Sequence, residues 1–582
     1  MSMAKKAASL LFLLLPLFLM GLTGTLSAQQ SDPQAQQNLL PEIDPQDIEI
    51  RSQFQARFPG LRRQPILGFN PKPRVFQIDP NRTPFIESEE AIAASVPVGQ
   101  LDRPDAPTYR PLSYVDPSNG FARLGIGTYV TPEADIYAIQ GFGNKHWVSG
   151  NLSHRSSNGH LDDFDSSFRN LTADIRSHLR LSDSALLKLN TGLFSSFNYI
   201  PPDRVDGTPL QDAGAKTALS GAQLGGSLDY NRTTATGFRS DFNFYSHQFD
   251  ITNSGGLTTE GDASEWGLSA DAAYSWAGSR TEEVFSAYTD IDAGSIGVIG
   301  TESNSWSVMQ AGARYERLLN YQTDIDASFG VALVSDAFND SKLYISPRLD
   351  ARHTLIDGID LRALISGSPS HRSLREYHQI NRFIGLNSSI SHQYTSEFRS
   401  EVIIEPLSGT MFTGGVQFQH IRNYAFFIRN QTTNSQNITT QSSYSTQFEN
   451  ANLFKLYASF SQQLAAEKFW VSADAFWQRP RLSGSVKIPY TKSLGLKGTA
   501  SVRPIRDLVV EGWVDYSGSR YNPQGDDDLD PYFLFGARFE LALAGNAGIY
   551  AKLLNINDVD YEIWQGYQER GFQAYVGITY LF

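Results

Sequence analysis

The last eleven residues of the chain constrain its fold more than any other segment. Counted back from Phe582 in steps of two, the preceding residues are all apolar: Tyr580, Ile578, Val576, Ala574 and Phe572. Because successive side chains of a β-strand point to opposite faces, this segment predicts a strand with one continuous apolar face. Such a strand leaves an apolar edge exposed in a soluble protein, whereas a closed barrel in a bilayer pairs every strand and turns one face towards lipid.

The same alternation recurs along most of the chain. Between Leu171 and Leu181 the odd positions are mainly apolar, and the even positions are Thr172, Asp174, Arg176, His178 and Arg180. Two further segments, 469–477 and 533–543, repeat the pattern, and the first carries aromatic residues at both ends of its apolar row. We therefore predict an all-β fold, a transmembrane antiparallel β-barrel of about 22 strands over residues 119–582. Short joins such as Thr131-Pro132 and 544–546 are expected on the periplasmic side, and long joins such as 430–447 and 521–530 on the outside. Its charged rows would line the interior, either selecting solutes by charge or, as we favour for most, forming cross-strand ion pairs.

Residues 1–118 read differently. Lys5 and Lys6 followed by the apolar run Leu10–Met20 predict a signal peptide over residues 1–28, with a retained helical anchor as the alternative. Residues 29–118 hold more than half of the 27 prolines, so this segment cannot be a series of central strands. We expect a Pro-rich, mostly irregular segment with one short helix at 87–95, lying in the periplasm or in the lumen. Disorder of its first half is the alternative.

Composition excludes several classes of function. The chain has no cysteine, which excludes disulfides, thiolate metal sites, a cysteine nucleophile and a lipoprotein anchor. A net charge of −13 argues against a nucleic-acid partner, because phosphate binding needs a basic face. An aromatic content of 12% is what two interfacial girdles of a barrel would require.

Several short motifs between Tyr344 and Phe582 resemble one family. They are Ile345–Leu349 (ISPRL), Ser368–Glu376, Glu397–Pro406, the turn Leu554–Glu562, and Trp564, Gly566, Tyr567 and Gly571 before the final strand. Together they resemble the barrel of TonB-dependent receptors, the outer-membrane transporters for siderophores, cobalamin and sugars. Within this resemblance, Ser368–Glu376 is similar to the loop before the late strands of that barrel. A terminal Phe582 also resembles the end of outer-membrane barrels that the insertion machinery reads.

This resemblance implies a location in the outer membrane of a Gram-negative bacterium. It departs from the family at the N-terminus, because residues 29–119 are few and crowded with proline. The only match to a TonB box is Ile48-Glu49-Ile50, so the plug domain is expected to be reduced or absent.

No catalytic, cofactor-binding or metal-binding residues are predicted. The ten histidines form no ligand pair in sequence, and the motifs that would flank His371 in a haem receptor are absent. Asp526-Asp527-Asp528 with Asp530 could bind calcium, but a solvated acidic loop is favoured.

We therefore expect a channel or transporter whose N-terminal segment partly occludes the lumen, and no enzyme. The alternative is a plugless structural barrel in a secretion or assembly complex, and a membrane-embedded hydrolase is a third, weaker reading. Expected partners are outer-membrane lipid, the barrel insertion machinery and a possible periplasmic or outer-membrane protein, but no nucleic acid.

Overall fold

The computed structural model describes residues 119–582 apart from 144, 162–164, 201–203, 206–207, 210–214, 232–235, 253–259, 281, 299–302, 337–338, 387, 389, 434–438, 465–467, 525–526 and 544–545. The predicted signal peptide at 1–28 and the Pro-rich segment at 29–118, with its short helix and its possible TonB box, lie outside the described residues.

Within the described part of the chain, one sheet of 22 antiparallel strands forms a closed barrel, which confirms the predicted fold class and strand number. Two short hairpins, β6–β7 and β24–β25, lie outside this sheet. The first strands are β1 Gly120–Gly127, β2 Thr131–Phe142, β3 His146–Ser157, β4 Phe168–Ser182, β5 Ala185–Ile200, β6 Arg204–Val205, β7 Thr208–Pro209, β8 Ala215–Tyr230, β9 Gly237–Thr252, β10 Gly261–Ala277, β11 Glu283–Val298, β12 Asn304–Asn320 and β13 Thr323–Asp336. They are followed by β14 Asn339–Ile356, β15 Ile359–Ser370, helix α1 Leu374–Ile380, β16 Gln393–Leu407, β17 Thr410–Thr433, β18 Thr439–Leu464, β19 Phe469–Leu482, β20 Leu494–Ile505, β21 Leu508–Ser517, β22 Tyr532–Ala542, β23 Ala547–Leu554, β24 Glu562–Trp564, β25 Tyr567–Gln568 and β26 Gln573–Leu581. A 3-10 turn spans Ser483–Ser485. No helix among these residues is long and apolar enough to cross a membrane.

The barrel closes where β1 pairs with β26, with Gly125 opposite Gly577. Tyr550 of β23 lies across both glycines: a Cβ at Gly125 would be 2.0 Å from its Oη, and one at Gly577 would be 2.5 Å from its Cε1. The Tyr550 hydroxyl then donates to Glu133 Oε1 of β2 at 2.6 Å, and Lys552 Nζ donates to Glu133 Oε2 at 2.7 Å. A buried hydrogen-bonded network therefore joins four adjacent strands across the seam.

The outer surface is apolar, as the alternation predicts. On β26 the side chains of Val576 and Ile578 are 61% and 57% exposed, and on β4 Ile175 is 58% exposed. Their neighbours on the other face of each strand point into the lumen. In a closed barrel every strand forms its backbone hydrogen bonds with two neighbours, and the apolar outer surface can contact hydrocarbon. The protein is therefore an outer-membrane barrel in contact with lipid.

Charged side chains line the interior and pair with one another. Three ion pairs join residues two apart on one strand, Arg239–Asp241 at 2.7 Å, Arg348–Asp350 at 3.0 Å and Arg538–Glu540 at 2.9 Å. A bidentate pair adds Arg362 to Asp350, at 2.9 and 2.7 Å. Ion pairs therefore do form in the lumen, but of these four only Arg362–Asp350 crosses between strands, as the prediction requires, and the other three run along one strand.

The two ends of the barrel differ in their connections. Short turns join the strands at the end that carries Phe582, and long connections join them at the other end, which by the rule for outer-membrane barrels faces the cell exterior. The join predicted at 544–546 links β22 to β23 at the short-turn end, where the Leu581 N–H donates to Asn546 O at 2.8 Å. The Thr131-Pro132 join was predicted there too, and this is wrong. The turn comprises residues 128–130, and the Thr128 N–H donates to Ala574 O at 2.9 Å at the long-loop end, because alternate joins of an antiparallel sheet lie at opposite ends.

One predicted loop is largely strand. Residues 430–447 were expected to form a long external connection, but β17 and β18 are 24 and 26 residues long and leave only 434–438 between them. Outside the membrane the two strands continue to pair, for example Arg429 with Tyr444. The predicted external connection at 521–530 is confirmed between β21 and β22.

Candidate functional site

Residues 371–392 fold into the long-loop end of the barrel rather than away from it. Within the motif Ser368–Glu376, predicted as a loop, β15 continues to Ser370 and helix α1 begins at Leu374. The helix starts there because Ser373 and Glu376 form a capping box, in which each side chain accepts a hydrogen bond from the backbone N–H of the other residue. The Leu374 N–H donates to Glu265 Oε2 of β10 at 2.7 Å and so fixes the helix start to the wall.

Both ends of this segment are held by histidines. His371 stacks on Trp306 of β12, with ring centroids 3.6 Å apart. Burial lowers the pKa of His371 to about 3, so the ring is neutral at ordinary pH. At the other end His392 Nδ1 contacts the Asp336 carboxylate, to which Ser391 Oγ also donates at 2.7 Å.

An aromatic core fills the mouth between residues 371–392 and residues 555–572, which together we call the mouth lid. Phe383 stacks on Tyr567 with centroids 3.7 Å apart, and Trp564 meets Phe427 and Tyr444 at 5.4 and 5.2 Å. These rings belong to one buried cluster that also includes wall residues of β5, β8, β9 and β10. The lid therefore connects the strands of both sides of the barrel.

Backbone pairing ties the lid to the long hairpin. Ile384 forms a parallel bridge with Tyr444, whose N–H donates to Phe383 O at 2.9 Å and whose carbonyl accepts from the Gly385 N–H at 2.7 Å. The part of β18 that extends beyond the membrane thus gains a short third strand from the lid.

A cavity of about 430 Å³ lies between the lid and the wall strands β4 and β5. Its lining includes the aromatic residues Phe168 and Phe194 and the polar residues Asn170, Asn198, Arg375, Arg382 and Glu569. A cavity of this size, apolar in part and with a few convergent polar groups, is typical of small-molecule binding sites.

Two arginines and one glutamate supply the charges of the cavity lining. Arg382 pairs with Glu569 at 3.1 Å, so these two charges balance. Arg375 lies over the Phe194 ring at 3.9 Å and donates to Gln223 Oε1 at 3.2 Å, but it forms no ion pair with any residue that the structure describes. Burial lowers the pKa of Arg375, and the nearby carboxylates of Asp174 and Glu376 offset this only in part.

No metal centre is found within the described part of the chain, where no three or more histidine, aspartate or glutamate side chains cluster closely enough to hold an ion. Asp526 of the acidic loop lies outside the described residues, and Asp528 pairs with Lys487 at 2.9 Å. Sequence reasoning did not single out Arg375, Trp564 as a core residue, or the capping box. The spacing Ser373-x-x-Glu376 was a signal that would have found the helix.

Comparison with known proteins was made for both sequence and structure. No protein-family model matches the chain, and no curated protein is similar to it in sequence. Solved structures match over most of its length. The ferric-catecholate import receptor Fiu from E. coli K12 is 11% identical, covers 80% of this chain and 82% of its own, and has a TM-score of 0.61.

Two further structures match equally well. The FrpB iron transporter from Neisseria meningitidis is 7% identical over 80% of this chain and 82% of its own, with a TM-score of 0.63. The copper transporter OprC is 12% identical over 80% of each chain, with a TM-score of 0.62. The predicted resemblance to the barrel of TonB-dependent receptors is thereby confirmed at the level of the fold.

Proposed function

We propose that the protein moves a small solute across the outer membrane of a Gram-negative bacterium, with the mouth lid as the gate on the outside. The observation that carries this proposal is the aromatic core of the lid, which joins opposite walls of the barrel above a wide lumen. A barrel of this width would leak solutes if it were open at both ends. The Pro-rich segment at 29–118 is proposed to occlude the lumen in part.

The cavity beneath the lid gives the solute its expected character. Arg375 forms no ion pair with a described residue, and Phe168 and Phe194 provide ring faces. An anionic solute with an aromatic or apolar part fits this combination, since a partly desolvated guanidinium binds anions strongly. Fiu, FrpB and OprC are described as an importer of ferric catecholate, an iron transporter and a copper transporter. A metal carried in an anionic chelate is one solute of this class.

Liposome swelling tests the gate. The full chain, reconstituted into liposomes, is compared with Trp564→Ala and with a chain that lacks residues 29–117, and heat-modifiable gel mobility verifies that each barrel is folded. Faster swelling in either variant supports gating by the segment that was changed. Equal, slow swelling in all three removes the gating role of both segments.

Copurification from detergent tests the alternative function. A lone barrel supports transport. A stoichiometric protein partner would instead favour a structural subunit of a secretion or assembly complex, with residues 29–118 as its periplasmic contact.

A further inference from the structure

A basic patch lies on the outer wall of the barrel, not in its lumen. On β17, β18 and β19 the residues Phe418, Leu456 and Trp477 are 45%, 43% and 41% exposed, which identifies the lipid-facing side of each strand. Stepping by two along the same faces towards the long-loop end leads to four basic side chains: His420, Arg422, Arg479 and Arg481. We call these four residues the outer-wall patch.

The strand register places the patch in one compact area. Asn452 of β18 is opposite both His420 and Arg481, and Phe454 is opposite both Phe418 and Arg479. Adjacent strands are about 4.8 Å apart, so the basic groups of β17 and β19 lie roughly 10 Å from each other across β18. This spacing suits a head group that carries more than one phosphate.

The patch lies at the level of the lipid head groups. Phe454 and Trp477, with ring centroids 6.1 Å apart, form part of the aromatic girdle. Arg479 is two residues beyond Trp477, and Arg481 two residues further. Aromatic girdles mark the boundary between hydrocarbon and head groups, so side chains just beyond the girdle face the head groups of the external leaflet.

These arginines are not ion-paired, unlike those of the lumen. Arg422 lies 5.9 Å from the Tyr394 ring centroid, and Arg481 Nη1 donates to Ser485 O at 3.1 Å. Neither of them, nor Arg479, pairs with a carboxylate of any residue that the structure describes. Strand β17 contains no acidic residue, and Glu397 and Glu401 of β16 and Asp474 of β19 alternate onto lumen-facing positions.

We propose that the outer-wall patch binds the phosphates of a phosphorylated glycolipid in the external leaflet. The guanidinium groups supply charge-assisted hydrogen bonds to phosphate oxygens, and Phe418, Phe454 and Trp477 contact the acyl chains below. The lipid would be held against the wall of β17 and β18, whose extended hairpin pairs with the mouth lid.

Native mass spectrometry of the full chain in detergent tests this proposal, with bisphosphorylated lipid A as the probe. The variant R422Q/R479Q/R481Q is expected to bind about a hundredfold more weakly, because each basic residue contributes roughly a factor of five near a charged lipid surface. The variant R422K/R479K/R481K, which keeps the charge, is expected to retain most of the binding. Dephosphorylated lipid A should bind the unchanged protein as weakly as bisphosphorylated lipid A binds the glutamine variant.

The matched control is R169Q/K216Q. Arg169 and Lys216 face outward at the same end of β4 and β8, and Lys216 lies 4.5 Å from the Phe197 ring. Unlike the outer-wall patch, they have acidic residues nearby on the outer surface, because Asp250 of β9 and Asp262 of β10 face outward opposite each other. This control is expected to bind lipid A normally. Equal binding by the glutamine variant and the unchanged protein, equal loss in the control, or displacement of lipid A by inorganic phosphate at the same concentration would each overturn the proposal.

Discussion

Removing one indole from the mouth lid should open the barrel. Trp564 is 7% exposed and contacts the rings of Phe427, Tyr444 and Tyr490 at centroid distances of 5.4, 5.2 and 5.2 Å. Truncating a buried tryptophan to alanine costs about 3–5 kcal/mol. Since every 1.4 kcal/mol is a factor of ten, about 3 kcal/mol would raise the ratio of open to closed lids by roughly a hundredfold.

The absence of native cysteine allows a clean assay of this opening. Thr217 of β8 is fully buried beside the lid core, and Thr217→Cys would place a single thiol there. In intact cells, a bulky membrane-impermeant maleimide is expected to label this thiol slowly, and about a hundredfold faster when Trp564→Ala is added. Trp477→Ala, which removes a lipid-facing indole that is 41% exposed, is the matched control and should leave the labelling rate unchanged. An unchanged rate in a folded Trp564→Ala barrel would refute the view that the aromatic core holds the lid closed.

Three other changes have defined outcomes. Glu133→Gln leaves Lys552 buried without its carboxylate and should destabilise the barrel by about 3–5 kcal/mol, measured as a lower urea midpoint of heat-modifiable mobility. Glu316→Gln, which alters an exposed pair, should leave that midpoint unchanged. Because burial lowers the pKa of His371 from 6.5 to about 3, the closed lid excludes a proton that the open lid takes up. Its closing free energy is therefore fully present above about pH 6.5 and falls as the pH is lowered towards 3, which hydrogen-exchange protection factors of residues 371–392 would show. His371→Gln should remove this dependence. Phe582→Ala should lower the yield of assembled barrel without changing the stability of the molecules that do assemble, and a normal yield would argue against recognition of Phe582 by the insertion machinery.

The barrel could be predicted from the sequence because its pattern is local. The alternation from Phe572 to Tyr580 and from Leu171 to Leu181 identifies strands, and a bilayer forces those strands to close into a ring. Strand ends were less predictable. Residues 430–447 are rich in Asn, Gln, Thr and Ser, which are typical of loops, yet outside the membrane these residues pair across a hairpin.

The mouth could not be predicted, because its contacts join distant parts of the chain. Phe383 stacks on Tyr567, and His160 Nε2 contacts Gln568 O at 3.0 Å across 408 residues. No periodicity in one segment indicates which of its rings will meet a ring of another. Helix α1 is a different case, because its capping box was present in the sequence and only the motif resemblance led to a loop assignment.

The ring of Tyr550 lies over Gly125 and Gly577, and this contact makes closure of the barrel depend on the register of β26 against β1. If β26 were displaced by two residues against β1, either Tyr575 or Thr579 would lie opposite Gly125. Its side chain would then occupy the space that the Tyr550 ring crosses to reach Glu133. A displacement by one residue would turn Val576 and Ile578 into the water-filled interior. The Tyr550 contacts and the apolar face of β26 therefore both favour the observed alignment of the first and last strands.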